Sequence, residues 1–288
     1  IFSNLTPEHL DFHGDMENYF KAKLRLFQTL AVDKTAIINF DDPYAQRICS
    51  SISAKCITYG MNKKADLRPV QAEFTTNGIK AQLQFREHII LIDSLLLGEY
   101  NLSNIMAGVA AALSMGVSIS QIENAVKNMP PIPGRMELIS CDCPGKVFVD
   151  YAHSPDAYEK LFSSLSSITE DGVKLLTVFG CGGNRDSSKR SEMAKISEKY
   201  SAFSFITTDN PRNEDVENIN ADIIRGFSGD DFTVIPDRKE AITTALKKMD
   251  ENSILLILGK GQENYQEIGS VKIPHSDIEI IGAYSNES

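Results

Sequence analysis

The residues best suited to bind a small ligand form the tetrapeptide Asp209-Asn210-Pro211-Arg212. It follows the apolar run 203–206, which predicts a buried strand, and it precedes a predicted helix over residues 214–227. In an open α/β sheet, ligands bind at the carboxyl ends of the strands. An arginine at that edge presents a planar fork that matches a carboxylate. The tetrapeptide therefore predicts a site for a small anion and points to an amino acid.

Two glycine-rich turns follow other predicted strands and carry further charges. The segment FGCGGNRD (179–186) contains Arg185, and the segment LGKGQENY (258–265) contains Gly259 and Glu263. Arg185 and Arg212 are expected to act as two anion clamps, and Glu263 can accept an ammonium group. The alternative is that the glycines only form tight connections and that Glu263 only favours a helix dipole. Two arginines and one glutamate at one edge suit a zwitterion.

A second candidate site lies near the start of the chain, where EHLDFHG (8–14) places His9 ahead of Lys23. Histidine and carboxylates can bind a divalent metal, and lysine can bind a phosphate. The spacing is HxxxH and not HExxH, so a zincin site is unsupported. The alternative is a solvated loop followed by an amphipathic helix with surface lysines.

A third group of polar residues lies near the middle of the chain. Arg135 stands in PGRMELI (133–139), and Asp150 ends a predicted strand in VDYAHSPDA (149–157). An aspartate at a strand end can bind ribose hydroxyls, and an arginine can bind phosphate. The alternative is a simple Ser-Pro helix start.

Composition limits the function classes. The 288 residues suffice for two domains, and the formal net charge of −10 disfavours nonspecific nucleic-acid binding. The five cysteines argue against a disulfide framework and favour a reducing cytosol, so we interpret Cys141-Asp142-Cys143 as a loop feature without a role. No stretch is long and apolar enough to predict a membrane span. Residues 1–3 (IFS) predict the tail of a strand, and we expect that a further part of the protein precedes Ile1.

The order of predicted elements divides the chain into residues 1–138 and 139–288. The first part contains two strand-like runs around a short helix, a hairpin at Asn77-Gly78, and two helices at 101–115 and 119–127. The second part alternates strands (147–150, 174–180, 204–208, 232–235, 254–259) with helices (155–168, 188–200, 216–227, 238–249). This alternation with short links predicts a parallel, doubly wound α/β sheet.

Seven segments in this order resemble those of the Mur ligases. They are NLTPEHLDFHGDMENYFKAK, GEYNLSNIMAGVAAAL, PGRMELI, VDYAHSPDA, VFGCGGNRDSSKR, TTDNPRNED and LGKGQENYQ, and together they span nearly the whole chain. The resemblance implies an α/β fold in which residues 1–138 are the C-terminal part of a central ATP-binding domain. Residues 139–288 would be a Rossmann-like, doubly wound domain that binds the amino acid.

The resemblance also implies roles for single residues. Lys23 matches a catalytic lysine that is carbamylated and helps to hold Mg²⁺, and His9 matches a magnesium ligand. ATP-binding positions match Asn104, Arg135 and Asp150. The amino-acid pocket is matched by Arg185, Asp209, Asn210, Pro211, Arg212, Gly259 and Glu263.

The implied activity is ATP-dependent formation of an amide bond in the cytoplasm. It adds meso-diaminopimelate to UDP-N-acetylmuramoyl-L-alanyl-D-glutamate, through an acyl phosphate, in peptidoglycan precursor synthesis. Because Arg212 is usually missing from lysine-adding relatives, a strong preference for diaminopimelate over lysine is expected.

The chain departs from the family in one consequential way, since no GxxxxGK[ST] phosphate loop occurs in it. We therefore expect the chain to need its own N-terminal region and to be inactive alone. Two alternatives stay open, a ligase of the folylpolyglutamate synthase type and a fragment that only binds an amino acid.

Overall fold

The computed structural model describes residues 1–6, 10–170 and 172–284, and of residues 10 and 11 only the backbone is described. The predicted metal ligand His9 lies outside this part of the chain. Clustering of contacts divides the chain into two units, Ile1–Pro130 and Pro131–Ser288.

The first unit contains a mixed sheet and the helices that pack on it. Its elements are α1 (Leu10–His13), α2 (Met16–Gln28), β1 (Thr35–Asn39), α3 (Ala45–Ser50), β2 (Lys55–Tyr59), β3 (Leu67–Thr75), β4 (Gly78–Phe85), β5 (His88–Ser94), α4 (Glu99–Ser114) and α5 (Ile119–Lys127). The sheet order is β1-β2-β3-β4-β5, with β1, β2 and β3 parallel and the β3-β4-β5 pairs antiparallel. Phe2 bridges Ile38 of β1 in parallel, as expected for the tail of a strand.

The sequence signals explain the turns of this unit. The predicted hairpin forms at Asn77-Gly78, where Thr75 pairs with Gly78. Gly78 has φ +142°, and a Cβ at this position would overlap the Ser94 carbonyl oxygen, so only glycine fits. Helix α4 buries Leu102, Met106 and other apolar residues in the core that the sheet forms.

The second unit has the predicted strand–helix alternation. Its elements are β6 (Glu137–Ile139), β7 (Lys146–Asp150), α6 (Pro155–Ser166), β8 (Lys174–Phe179), α7 (Ser188–Tyr200), β9 (Phe203–Ile206), α8 (Val216–Ile224), β10 (Phe232–Val234), α9 (Arg238–Lys248), β11 (Ser253–Leu258), β12 (Tyr265–Ile268), β13 (Val271–Pro274) and α10 (Asp277–Gly282). The main sheet has the order β10-β9-β8-β11-β7-β6, in which the strands from β10 to β7 are parallel.

Helices cover both faces of this sheet, which confirms the doubly wound α/β class. Every residue of the central strand β11 is buried, as is typical of a parallel strand covered on both sides. Val147 and Val149 share a core with α9 and α10, whereas Phe148 lies on the opposite face and is also buried. Helix α7 packs against α6 on one side and against α8 on the other.

Several elements were not predicted. Strand β6 pairs antiparallel with β7, so the predicted domain boundary between residues 138 and 139 cuts through a strand of the second unit. The β12–β13 hairpin and α10 were also missed. Cys141 and Cys143, which lie in the connection between β6 and β7, form a disulfide with Cα atoms 5.4 Å apart. The cysteine content predicted no disulfide framework, and this bond differs from that expectation because the turn brings the two side chains together.

Among the described residues, no helix combines the length and the apolar character that crossing a membrane requires.

Candidate functional site

The predicted amino-acid site lies at the carboxyl edge of the second unit's sheet. Strands β8, β9 and β11 end there at Phe179, Ile206 and Leu258, and β8 lies between the other two. The three following loops carry the predicted residues Arg185, Asp209 to Arg212, and Gly259 with Glu263. The topology therefore brings these residues, which lie far apart in sequence, to one edge of the sheet.

Close backbone contacts hold these loops together. A Cβ at Gly180 would overlap the Thr207 carbonyl oxygen, so β8 and β9 continue side by side beyond their last paired residues. Gly259 has φ +106°, and a Cβ there would lie 3.0 Å from Asp209 Oδ2. The Gly183 amide also donates to the Asn210 carbonyl oxygen (2.9 Å). Gly180 and Gly259 are thus needed for the close approach of these loops.

Two of the predicted substrate-binding residues point into the protein. Asp209 and Asn210 are buried, with 6% and 7% of their surfaces exposed. The Asn210 Oδ1 atom accepts from Lys260 Nζ (3.1 Å) and from the Glu267 amide (2.9 Å), and Asn210 Nδ2 donates to Glu263 Oε2 (3.0 Å). These contacts tie the loop after β9 to the loop after β11.

Asp209 occupies a strongly desolvated position. Burial raises its pKa, and the positive charges of Arg238 and Lys260 oppose that rise. Its Oδ1 atom lies 3.6 Å from Lys260 Nζ and has no hydrogen-bond partner among the described residues. Burial alone would also raise the pKa of Asp277, but its pair with Arg238 (2.7 Å) outweighs that effect and lowers the pKa.

Arg212 and Arg185 flank the glycine turn, as the sequence predicted. A Cβ built on Gly182 would lie 3.1 Å from Arg212 Nη1 and 3.8 Å from Arg185 Cγ. Arg212 donates from Nη1 to the Gly183 carbonyl oxygen (2.9 Å), and its Nε lies 3.0 Å from Glu267 Oε2. Arg185 is exposed, whereas the Arg212 side chain is 23% exposed. The remaining N–H groups of both forks can donate to a carboxylate.

Arg190, a buried arginine that the sequence did not single out, stabilises this turn. Arg190 on α7 pairs with Glu214 through both terminal nitrogens (2.6 and 2.8 Å) and donates to the Gly182 carbonyl oxygen (3.2 Å). Glu214 in turn accepts from the Asn184 amide (2.9 Å). The turn that carries Arg185 is therefore linked to the segment that follows Arg212.

The predicted ATP-binding residues fall in both units. In the second unit, Asp150 accepts from the Met136 and Ala152 amides (2.7 Å each), and burial raises its pKa. Arg135 is exposed and lies over the Tyr151 ring, 4.9 Å from its centroid. The arginine and the ring form a cationic, aromatic face of the kind that suits a nucleotide.

Asn104 belongs to the first unit and is exposed on α4. Its Nδ2 donates to Asn101 Oδ1 (3.2 Å), and Asn101 Nδ2 donates to the Leu97 carbonyl oxygen (2.9 Å). This chain of bonds orients the Asn104 amide on its helix.

Lys23 lies on α2, half-buried, with Nζ 5.1 Å from the centroid of the Tyr19 ring. The Tyr19 ring stacks on His13 (4.7 Å). Within residues 1–6, 10–170 and 172–284, no group of three or more His, Cys, Asp or Glu side chains is arranged to hold a metal ion. Mg²⁺ prefers oxygen ligands, and an unmodified ammonium supplies none. The described residues alone therefore do not fit a magnesium site.

Two domain models match this chain. The Mur ligase middle domain matches residues 1–112, and the Mur ligase glutamate ligase domain matches residues 134–261. The chain belongs to the Mur ligase family.

Individual Mur ligases show how far the likeness extends. The UDP-N-acetylmuramoyl-L-alanyl-D-glutamate–2,6-diaminopimelate ligase 1 of Clostridium acetobutylicum is 38% identical over 100% of this chain and 59% of its own length. A solved structure of a UDP-N-acetylmuramoyl-L-alanyl-D-glutamate–2,6-diaminopimelate ligase is 35% identical to this chain. Its TM-score is 0.68, and the match covers 97% of this chain and 58% of that chain. The chain thus spans less than two thirds of these relatives.

A more distant solved structure shares the fold alone. The folylpolyglutamate synthase of Mycobacterium tuberculosis, solved with ADP and AMPPCP, is 19% identical. Its TM-score is 0.71 over 89% of this chain and 60% of that chain.

The sequence analysis missed Lys260, Arg190 and Glu267, which hold the predicted residues in place. A signal existed for Lys260, since a lysine between two glycines closely follows the apolar run 254–258. Arg190 and Glu267 gave no such signal, because their partners are defined only by tertiary structure.

Proposed function

We propose that this chain is part of an ATP-dependent ligase that adds meso-diaminopimelate to UDP-N-acetylmuramoyl-L-alanyl-D-glutamate for peptidoglycan synthesis. The observation that carries the proposal is the presence of Arg212, Arg185 and Glu263 on three loops at one edge of the sheet. Relatives named for this reaction, at 38% identity over the whole chain, support the substrate class. Both nucleotide substrates are cytoplasmic compounds, so the cytoplasm is the proposed compartment.

The proposed reaction has two steps. The side-chain carboxylate of D-glutamate attacks the γ-phosphorus of ATP, ADP leaves, and an acyl phosphate forms. The free amine of diaminopimelate then attacks the acyl carbon, the C–O bond to phosphate breaks, and the amide remains. Catalysis of this kind is largely positioning and electrostatic stabilisation.

The chain's own residues supply the positioning of diaminopimelate in this proposal. Arg212 and Arg185 bind the carboxylate distant from the attacking amine, and Glu263 binds the ammonium beside it. Gly259 lets the backbone approach the ligand, and Asp209 and Asn210 shape the floor of the site from below. Pro211 holds the chain extended ahead of Arg212.

ATP is the proposed cosubstrate, with Asn104, Arg135 and Asp150 as its contacts. The orientation of the Asn104 amide and the Arg135–Tyr151 face support these assignments. Lys23 in carbamylated form, together with His9, is the proposed source of ligands for Mg²⁺, which would neutralise phosphate charge. The described residues do not supply a ligand set for Mg²⁺.

The proposal makes the region before Ile1 necessary for turnover. Without a GxxxxGK[ST] loop, the β- and γ-phosphates lack their backbone cradle. We expect the 288-residue chain alone to show no ATP-dependent ligation, and the same chain joined to the N-terminal region of its parent protein to be active. Release of phosphate, measured with both proteins and both substrates, tests this. Robust turnover by the chain alone would contradict it.

The alternative of a folylpolyglutamate synthase type shares the fold and the chemistry. The second arginine of the pair, Arg185, and the Asp209–Arg212 loop favour a diamino diacid instead. Supplying glutamate in the same assay distinguishes the two substrates.

A further inference from the structure

A fully buried lysine lies beneath the proposed amino-acid site. Lys260 follows β11 and has 0% of its surface exposed. Lysine is almost never fully buried unless its charge is paired, because desolvating an ammonium is costly. The surroundings of this side chain should therefore explain why it is there.

Its partners are residues of the proposed site. Lys260 Nζ lies 3.0 Å from Glu263 Oε2, 3.1 Å from Asn210 Oδ1 and 3.6 Å from Asp209 Oδ1. The Tyr265 ring centroid is 5.6 Å away. One internal ammonium thus lies among two carboxylates and an amide, and the three charges sum to −1.

This charge balance has a direct consequence for ligand binding. Without Lys260, the like charges of Asp209 and Glu263 would repel each other in a partly desolvated space, and Arg238, the other positive charge that acts on Asp209, is already paired with Asp277. With Lys260 present, one negative charge remains in excess, which matches the single ammonium of a zwitterionic amino-acid end.

Lys260 also orients the polar groups above it. Asn210 Oδ1 accepts from Lys260 and from the Glu267 amide, which directs Asn210 Nδ2 toward Glu263. The Glu267 carboxylate pairs with Arg212 Nε. A continuous chain of contacts therefore runs from Lys260 to the carboxylate-binding arginine at the other end of the site.

From this arrangement we infer that Lys260 is a positioning residue of the amino-acid site. It fixes Glu263 for the ligand's ammonium and, through Asn210 and Glu267, fixes Arg212 for the ligand's carboxylate. The inference rests on the proposed function, since it takes a diamino diacid as the ligand. Lys260 itself touches no reacting atom.

The test uses the complete ligase, in which this chain is joined to the N-terminal region of its parent protein. Lys260→Met keeps the side-chain length and removes the charge. The KM for diaminopimelate should rise roughly 10- to 100-fold, as for the loss of a hydrogen bond to a charged group, while the KM for ATP changes less than about twofold. Lys260→Arg, which keeps the charge, should recover part of the loss.

Lys174→Met is the matched control. Lys174 begins β8 at the opposite edge of the same sheet and pairs with Asp250 (2.7 Å) at the surface. Its loss should leave both KM values unchanged. A purely structural role for Lys260 predicts a lower unfolding temperature with an unchanged KM for diaminopimelate.

The outcomes separate the inference from the proposed function. If the wild-type ligase does not add diaminopimelate, both fail. If it does, and folded Lys260→Met keeps its KM for diaminopimelate within twofold, the inference alone is overturned. Should Lys260→Met not fold, Lys260→Gln takes its place, because glutamine keeps N–H donors without the charge. The same limits on the KM for diaminopimelate then apply to Lys260→Gln.

Discussion

Arg212→Ala is the perturbation that tests the amino-acid site most directly. Arg212 is the only residue of its tetrapeptide with positive φ (+52°). Its amide donates to the Glu267 carbonyl oxygen (3.0 Å), and its own carbonyl oxygen accepts from the Gly269 amide (2.7 Å). The backbone is therefore held from both sides in a conformation that costs a non-glycine residue about 1–2 kcal/mol.

The structure sets the size of the expected effect. Removing the guanidinium deletes a charge-assisted contact with the ligand carboxylate, worth about 1.5–3 kcal/mol. The KM for diaminopimelate should therefore rise roughly 10- to 150-fold. The KM for ATP should stay within about twofold, because the proposed ATP contacts are other residues, and of these Arg135 and Asp150, in the same unit, make no described contact with Arg212.

The same geometry lowers the expected discrimination against lysine. If both guanidinium groups were buried without partners when lysine binds, a preference of roughly 10⁴ would follow. Arg212 keeps Glu267 as a partner, and Arg185 is exposed to water. We therefore expect diaminopimelate to be preferred roughly 5- to 150-fold, the equivalent of about 1–3 kcal/mol.

The assay is steady-state ligation with each amino acid in competition, for the wild type, Arg212→Ala and Arg212→Gly. Both variants lose the guanidinium, but glycine also relieves the backbone strain, so Arg212→Gly should be more stable than Arg212→Ala by about 1 kcal/mol. Equal KM values for diaminopimelate in the two variants would assign the weaker binding to the loss of the guanidinium. Equal kcat/KM for lysine and diaminopimelate in the wild type would refute the reasoning.

Three further predictions concern the support of the site and the second candidate site. Lys23→Ala should abolish ligation, with partial recovery in millimolar acetate or formate; full activity in the variant would exclude the carbamate role. Arg190 lowers the Glu214 pKa from 4.5 to about 2, so this carboxylate stabilises the fold above pH 4.5 and loses that effect as pH falls toward 2. Urea unfolding should show Glu214→Gln less stable than wild type by about 1–2 kcal/mol at pH 7, after allowance for its 27% exposure, with the gap closing near pH 2. A gap independent of pH would contradict this. Gly180→Ala should reduce the free energy of unfolding by about 1–3 kcal/mol and so lower the urea midpoint, because the added Cβ overlaps the Thr207 carbonyl oxygen; an unchanged midpoint would show that the loops yield.

The parts of the fold that were predicted are those with a strong local signal. Short apolar runs separated by amphipathic segments indicate parallel strands and helices, and the sheet from β7 to β11 follows that pattern. Strand β6 has three residues, of which Leu138 is half exposed, and it exists because it pairs with β7. The β12–β13 hairpin is mostly exposed, so it too lacks an apolar pattern.

For the candidate site, sequence located the edge but not the direction of the side chains. Asp209, Asn210 and Arg212 stand within four positions, yet the first two face inward and the third stays accessible. The inward direction of Asp209 and Asn210 is explained by Lys260, which lies fifty positions away from Asn210 in sequence. Because Lys260 is buried, its ammonium requires partners on the loop that follows β9. A motif can therefore name the residues of a site while leaving open which of them touch the ligand and which hold the others. Variants of Lys260 and Arg212 should both raise the KM for diaminopimelate, but only Arg212 has donors left over for the ligand itself.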